Sequence, residues 1–83
     1  MGDPGEILVD ARGHRCPVPT LKLRRALAAA PGGARLRLLA DDPMARIDVP
    51  HFLAGADARL METLQEGGAL AFVIVKSADR IVG

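Results

Sequence analysis

A single cysteine, Cys16, stands between a basic loop and two prolines in the run Arg12-Gly13-His14-Arg15-Cys16-Pro17-Val18-Pro19. The residues after it, Thr20 to Ala30, are rich in Leu, Lys, Arg and Ala and predict a helix. The spacing therefore sets one thiol at a helix N-terminus, in a positive field. Thiols so placed have pKa values of roughly 3.5–7.5, so thiolate is expected at neutral pH. Pro17 and Pro19 lack an N–H, which costs little in a first turn whose donors have no intrahelical partner. The amides of Val18 and Thr20 are expected to be free to point at the sulfur.

Several chemistries are excluded by what surrounds the thiol. One cysteine can make neither an internal disulfide nor a Cys-x-x-Cys redox pair, and it is too few for a cysteine-rich zinc site. No metal or cofactor is expected. Acyl transfer needs a general base beside the nucleophile. The only histidines are His14, two residues from Cys16 on a loop, and His51, next to Pro50. Neither is placed by the sequence as a partner for the thiol. Sulfur exchange asks for less: an accessible thiolate and a good leaving group, with no general base.

The elements that must position the cysteine follow from the pattern. Glu6 to Asp10 predicts a strand, and Ala11 to Arg15 a loop in which Gly13 can take positive φ. On the first helix Pro19, Leu23, Ala26, Leu27 and Ala30 share the core face, while Lys22, Arg24, Arg25 and Leu21 point away. Pro31-Gly32-Gly33 ends that helix. Ala34 to Ala40 alternates basic and apolar residues as a half-exposed strand does. Asp41-Asp42-Pro43 breaks it. Asp48-Val49-Pro50 then predicts an N-cap and first-turn proline for a short second helix, with Phe52 and Leu53 inward and an end near Gly55. Asp57 to Glu66 has two readings. Leu60 and Leu64, four apart, suggest a helix; an irregular strand entering a hairpin at Glu66-Gly67-Gly68 is the other. Leu70 to Lys76 predicts a strand, and Asp79 to Gly83 a frayed tail.

Composition narrows the setting. The 83 residues are 49% hydrophobic, enough for one modest core and one domain. The net charge of +1 hides an asymmetry. No acidic residue lies between Asp10 and Asp41, a stretch holding Arg12, Arg15, Lys22, Arg24, Arg25, Arg35 and Arg37. The cysteine lies in this basic part, which favours anions and acidic partners. No targeting segment or membrane span is read, and a reducing, cytoplasmic setting is expected.

Asp10-Ala11-Arg12-Gly13-His14-Arg15-Cys16-Pro17-Val18-Pro19 resembles the D-x-x-G-x-x-C-P-x-P signature of the TusA (SirA-like) sulfur-carrier family. Asp41-Asp42-Pro43 and Asp48-Val49-Pro50-His51-Phe52 resemble its second block, at matching spacing. The likeness runs from about Leu8 to Lys76. It implies an α+β two-layer sandwich, β-α-β-α-β-β, with two helices on one face of a mixed four-stranded sheet and a strand over Arg59 to Gln65. It also implies a persulfide on Cys16, taken from a cysteine desulfurase or rhodanese-like donor protein. The sulfur then passes to an acceptor protein for tRNA thiolation, molybdenum-cofactor synthesis or sulfur oxidation. Gly13, Pro17 and Pro19 shape the turn in that reading, and Arg12, Arg15 and Leu21 are candidates for electrostatic support or docking. Asp10 and Asp48 read as caps or turn residues. Leu53 stands where some relatives have a second cysteine, and Ile47 where some have arginine.

Two other readings remain open at this point. One is an RNA- or protein-binding regulatory module with an incidental cysteine. The basic stretch favours it, but Phe52 and Phe72 are the only aromatics and both have apolar neighbours, so no stacking platform and no stable nucleic-acid binding is expected. The other is a peroxide-sensing thiol, which would need a resolving cysteine from a partner.

Overall fold

The computed structural model describes residues 6–15 and 17–77. Cys16 and the expected tail at Asp79 to Gly83 lie outside the described residues. The elements run β1 (Glu6–Asp10), α1 (Val18–Ala29), β2 (Arg35–Ala40), α2 (Ala45–Ala54), β3 (Ala58–Glu66) and β4 (Ala69–Lys76). They form one sheet in the order β1-β2-β4-β3. β1 and β2 are parallel, which requires a crossover, and α1 supplies it. The other pairs are antiparallel. Both helices lie on one face, as the family resemblance implies.

Period decides what each element buries. In β2, Leu36, Leu38 and Ala40 turn to the helices, and in β4 Leu70, Phe72 and Ile74 do the same. α1 meets them with Pro19, Leu23 and Leu27, joined by its C-cap Ala30, the face expected from its spacing, and α2 with Ala45, Val49 and Leu53. Full burial of one such side chain is worth about 1.5–3 kcal/mol. Past the end of α1, Lys76 Nζ donates to the Ala30 carbonyl at 2.6 Å.

The helix-free face has its own solution. Ala71 and Val73 on that face are buried, 0% and 2% exposed. Arg37, which pairs across from Val73, lies over the face. Its guanidinium meets Glu6 of β1 at 3.5 Å and Glu66 of β3 at 3.0 Å.

One expectation about the elements needs correction. α2 begins at Ala45, so Asp48 lies in its first turn and Pro50 inside it, rather than as cap and first-turn proline. The start is made upstream. The Asp42 carboxylate accepts the Met44 N–H at 3.0 Å, and the Asp42 carbonyl accepts that of Ala45 at 2.9 Å. Asp and Pro both favour such a start. Of the two readings of Asp57 to Glu66 the strand holds, as the family resemblance implies. The segment is edge strand β3, with a bulge between Leu60 and Glu62. The pairing restores the strand, and the glycine turn at Gly67 (φ 61°) closes the hairpin.

Candidate functional site

Because β1 and β2 are parallel, their C-terminal ends emerge side by side, and the loops that follow them meet. The Ala11 N–H donates to the Leu39 carbonyl at 2.8 Å and extends the pairing by one step. The chain then turns at Gly13, whose φ of +83° is strained for any residue with a Cβ. The turn is latched from the neighbouring strand: both Asp41 carboxylate oxygens lie 3.0 Å from the Gly13 N. Asp10 closes the loop from the other side. Its carboxylate accepts the Arg12 backbone N–H at 3.1 Å and the Arg12 guanidinium at 2.9 and 2.8 Å.

These bonds fix the charge state of the pair. The Arg12 side chain, and next its backbone N–H, hold the Asp10 carboxyl far below the ordinary carboxylate range. Asp10 in turn raises the Arg12 guanidinium. Arg12, expected to support the thiolate, thus spends its guanidinium on Asp10. Arg15 is exposed, and its carbonyl accepts the Val18 N–H at 2.9 Å. The Val18 amide, expected to be free, is therefore engaged.

α1 opens with Pro17 as N-cap and Pro19 in its first turn. Pro17 has no side-chain acceptor to cap the end, and the first turn carries no acidic residue. Thr20 Oγ1 donates to the Pro17 carbonyl at 2.8 Å, so this hydroxyl binds backward along the chain and does not cap the amides. Pro19 is buried and ties the start of the helix to the core, while Leu21 is 53% exposed. Gly13, Arg12, Arg15, Pro17, Pro19 and Leu21 are thus placed in one region around the start of α1, into which Cys16 leads in the chain. His14 and His51 are both exposed. Among the described residues no cluster of His, Cys, Asp or Glu could hold a metal ion. None of the helices they form is long and apolar enough to cross a membrane.

Asp41 is the residue that sequence reasoning missed. Read alone it was a strand breaker. Parallel pairing of Asp10 with Leu39 puts residues 11–13 beside residues 40–41, and that register is the signal that finds it. A groove of about 640 Å³ also runs between α1 and β1, lined in part by Ile7, Val9, Leu21, Lys22, Arg25 and Ala29.

This architecture is that of a two-layer α/β sandwich with an open sheet. It is shared with a SirA-like protein from Desulfitobacterium hafniense, at a TM-score of 0.71 and 24% identity over 88% of this chain and 99% of that one. The family model for sulfurtransferase TusA matches residues 7–76, so the chain belongs to the TusA family. It is 33% identical to the sulfur carrier protein TusA of Pseudomonas paraeruginosa, over 95% of this chain and all of the relative. To the sulfur carrier protein TusA of Allochromatium vinosum it is 38% identical, over 83% and 91% of the two chains.

Proposed function

We propose that this protein is a sulfur carrier that holds sulfane sulfur as a persulfide on Cys16. The Cys16 thiolate attacks the outer sulfur of a donor protein's persulfide. One S–S bond forms as another breaks, the donor leaves as a thiolate with its electron pair, and no net oxidation occurs. An acceptor thiolate then takes the sulfur by the same exchange. The donor is a cysteine desulfurase or rhodanese-like protein, the setting is the cytoplasm, and the chain acts as a carrier with no turnover of its own.

The observation that carries this reading is the start of α1. The helix opens directly after Cys16 in the chain, with no acidic residue in its first turn and no side-chain cap. The loop before it is latched by Asp41 and Asp10. A helix end left in this state favours an anion. Arg15 adds positive charge, while Gly13, Pro17 and Pro19 shape the approach. Arg12 acts through the loop, by its bond to Asp10.

The test is direct. The protein is incubated with a cysteine desulfurase and cysteine, then weighed intact. A gain of one sulfur atom, removed by reductant and absent in Cys16→Ser, is the expected result. A wild-type mass that stays unchanged rejects the carrier role.

A further inference from the structure

Among the described residues β1 is an edge of the sheet, and β2 uses only part of its backbone. The Ala11 N–H points to β2. The two-residue period of a strand then turns the N–H and C=O of Leu8 and Asp10 the other way, to the free edge. Lys22 Nζ meets the Asp10 carbonyl there, at a long 3.4 Å. Edges are commonly guarded by charged side chains, and here a flexible lysine does so. The groove under α1 runs along the same edge. Leu21 on its helix wall is 53% exposed, and Leu8, which leaves the strand on the opposite face with its partner Arg37, is 61% exposed. Its charged residues are Lys22, Arg25 and Asp10, and the Asp10 carboxylate is already held by Arg12. The groove therefore presents apolar walls and a positive rim.

We propose that this edge and groove dock an extended, acidic and apolar segment of a partner protein. The segment adds to the sheet beside β1, packs an apolar side chain against Leu21 and sets carboxylates against Lys22 and Arg25. Main-chain bonds give such strand addition its affinity and the side-chain sites give its specificity. A second copy of this chain fits poorly. Antiparallel pairing of β1 with itself about Leu8 sets Glu6 against Asp10 and brings Lys22 and Arg25 of both copies together. The carboxylates are in no position to relieve this, because Asp10 is held by Arg12 and Glu6 by Arg35 and Arg37. The docking site deepens the carrier reading and rests on it for its purpose: a partner held here lies beside the end of β1 from which the Cys16 loop departs.

The probe is a short synthetic peptide of alternating Leu and Glu, titrated into ¹⁵N-labelled Cys16→Ser protein and followed by NMR. Amide signals of Leu8, Asp10 and the exposed side of α1 are expected to move together and saturate. A matching Leu and Lys peptide, or a Lys22→Glu/Arg25→Glu protein, is expected to bind at least about tenfold more weakly. The milder Lys22→Gln/Arg25→Gln pair is expected to weaken binding by less, and it guards against a variant that fails to fold. Equal binding of the two peptides, or no movement along β1 up to about 1 mM peptide, overturns the docking site. The Cys16→Ser background separates this outcome from the sulfur-loading assay on wild-type protein, which alone decides the carrier reading.

Discussion

α2 starts behind Asp41-Asp42-Pro43, with the Asp42 carboxylate on the Met44 N–H and Asp48 in its first turn. α1 starts at Pro17 with no acidic residue in its first turn, and the basic stretch surrounds it. Acidic residues at a helix N-terminus each stabilise it by about 0.3–1 kcal/mol. α2 takes that stabilisation and α1 forgoes it. What anchors α1 is apolar: Pro19, Leu23 and Leu27 are buried, so the start of the helix is held by packing and not by an acidic cap. One end is built to be stable. The other leaves its positive pole for a charge the proposed persulfide chemistry supplies.

The contrast can be broken from either side. The largest effect is expected from Gly13→Ala in the loop leading to α1. A left-handed φ costs a residue with a Cβ about 1–2 kcal/mol, so the melting temperature should fall by several degrees. If Asp41 is the latch, Asp41→Ala should lose about 1 kcal/mol at the same loop; a denaturant midpoint as high as wild type would show that the bond carries nothing. At the other helix, Asp42→Ala should cost a similar amount, about 1 kcal/mol, and leave sulfur loading of Cys16 unchanged. Loss of loading in that variant would mean the two helix starts are not separate. A smaller change sharpens the electrostatic side. Arg15→Glu should slow attack of the thiol on an anionic disulfide about fivefold, and on neutral iodoacetamide by less, with the difference shrinking in high salt. The smallest effect concerns acid. Because the folded Asp10 carboxyl is held below its unfolded value, the pair with Arg12 stabilises the fold above about pH 3.9. That contribution is lost as pH falls through the folded value. A carbon-detected titration should find Asp10 still ionised well below the ordinary range, and Arg12→Ala should return it there.

The parts of the fold legible in the sequence are those where one period governs. α1 repeats its apolar residues at helical spacing, β2 alternates, and β4 is an apolar run that contains Val73-Ile74-Val75, and all three fall where the pattern puts them. The start of α2 was misplaced because two Asp-containing stretches, Asp41-Asp42-Pro43 and Asp48-Val49-Pro50, carry the same capping signal, and only packing of Ala45 and Val49 chooses the first. β3 read as helix by pattern for a physical reason. Residues four apart in a regular strand share a face, but the bulge shifts the phase. Leu60 therefore packs with the core while Leu64 pairs across from Ala71 on the other side. At the site, the motif around Cys16 named the loop and its prolines. The Asp41 latch needed the parallel register, which joins residues 28 apart in sequence.

That same bulge sets where this chain can change length. Met61 has no opposite number on β4, while Leu60 pairs with Ile74 and Glu62 with Val73. Deleting Met61 would leave each remaining partner across from its mate, whereas deleting a regularly paired residue nearby would turn part of the hairpin inside out. Met61 is thus a spare stitch, the point in this strand where a codon can be dropped and the reading of inside and outside still comes out right.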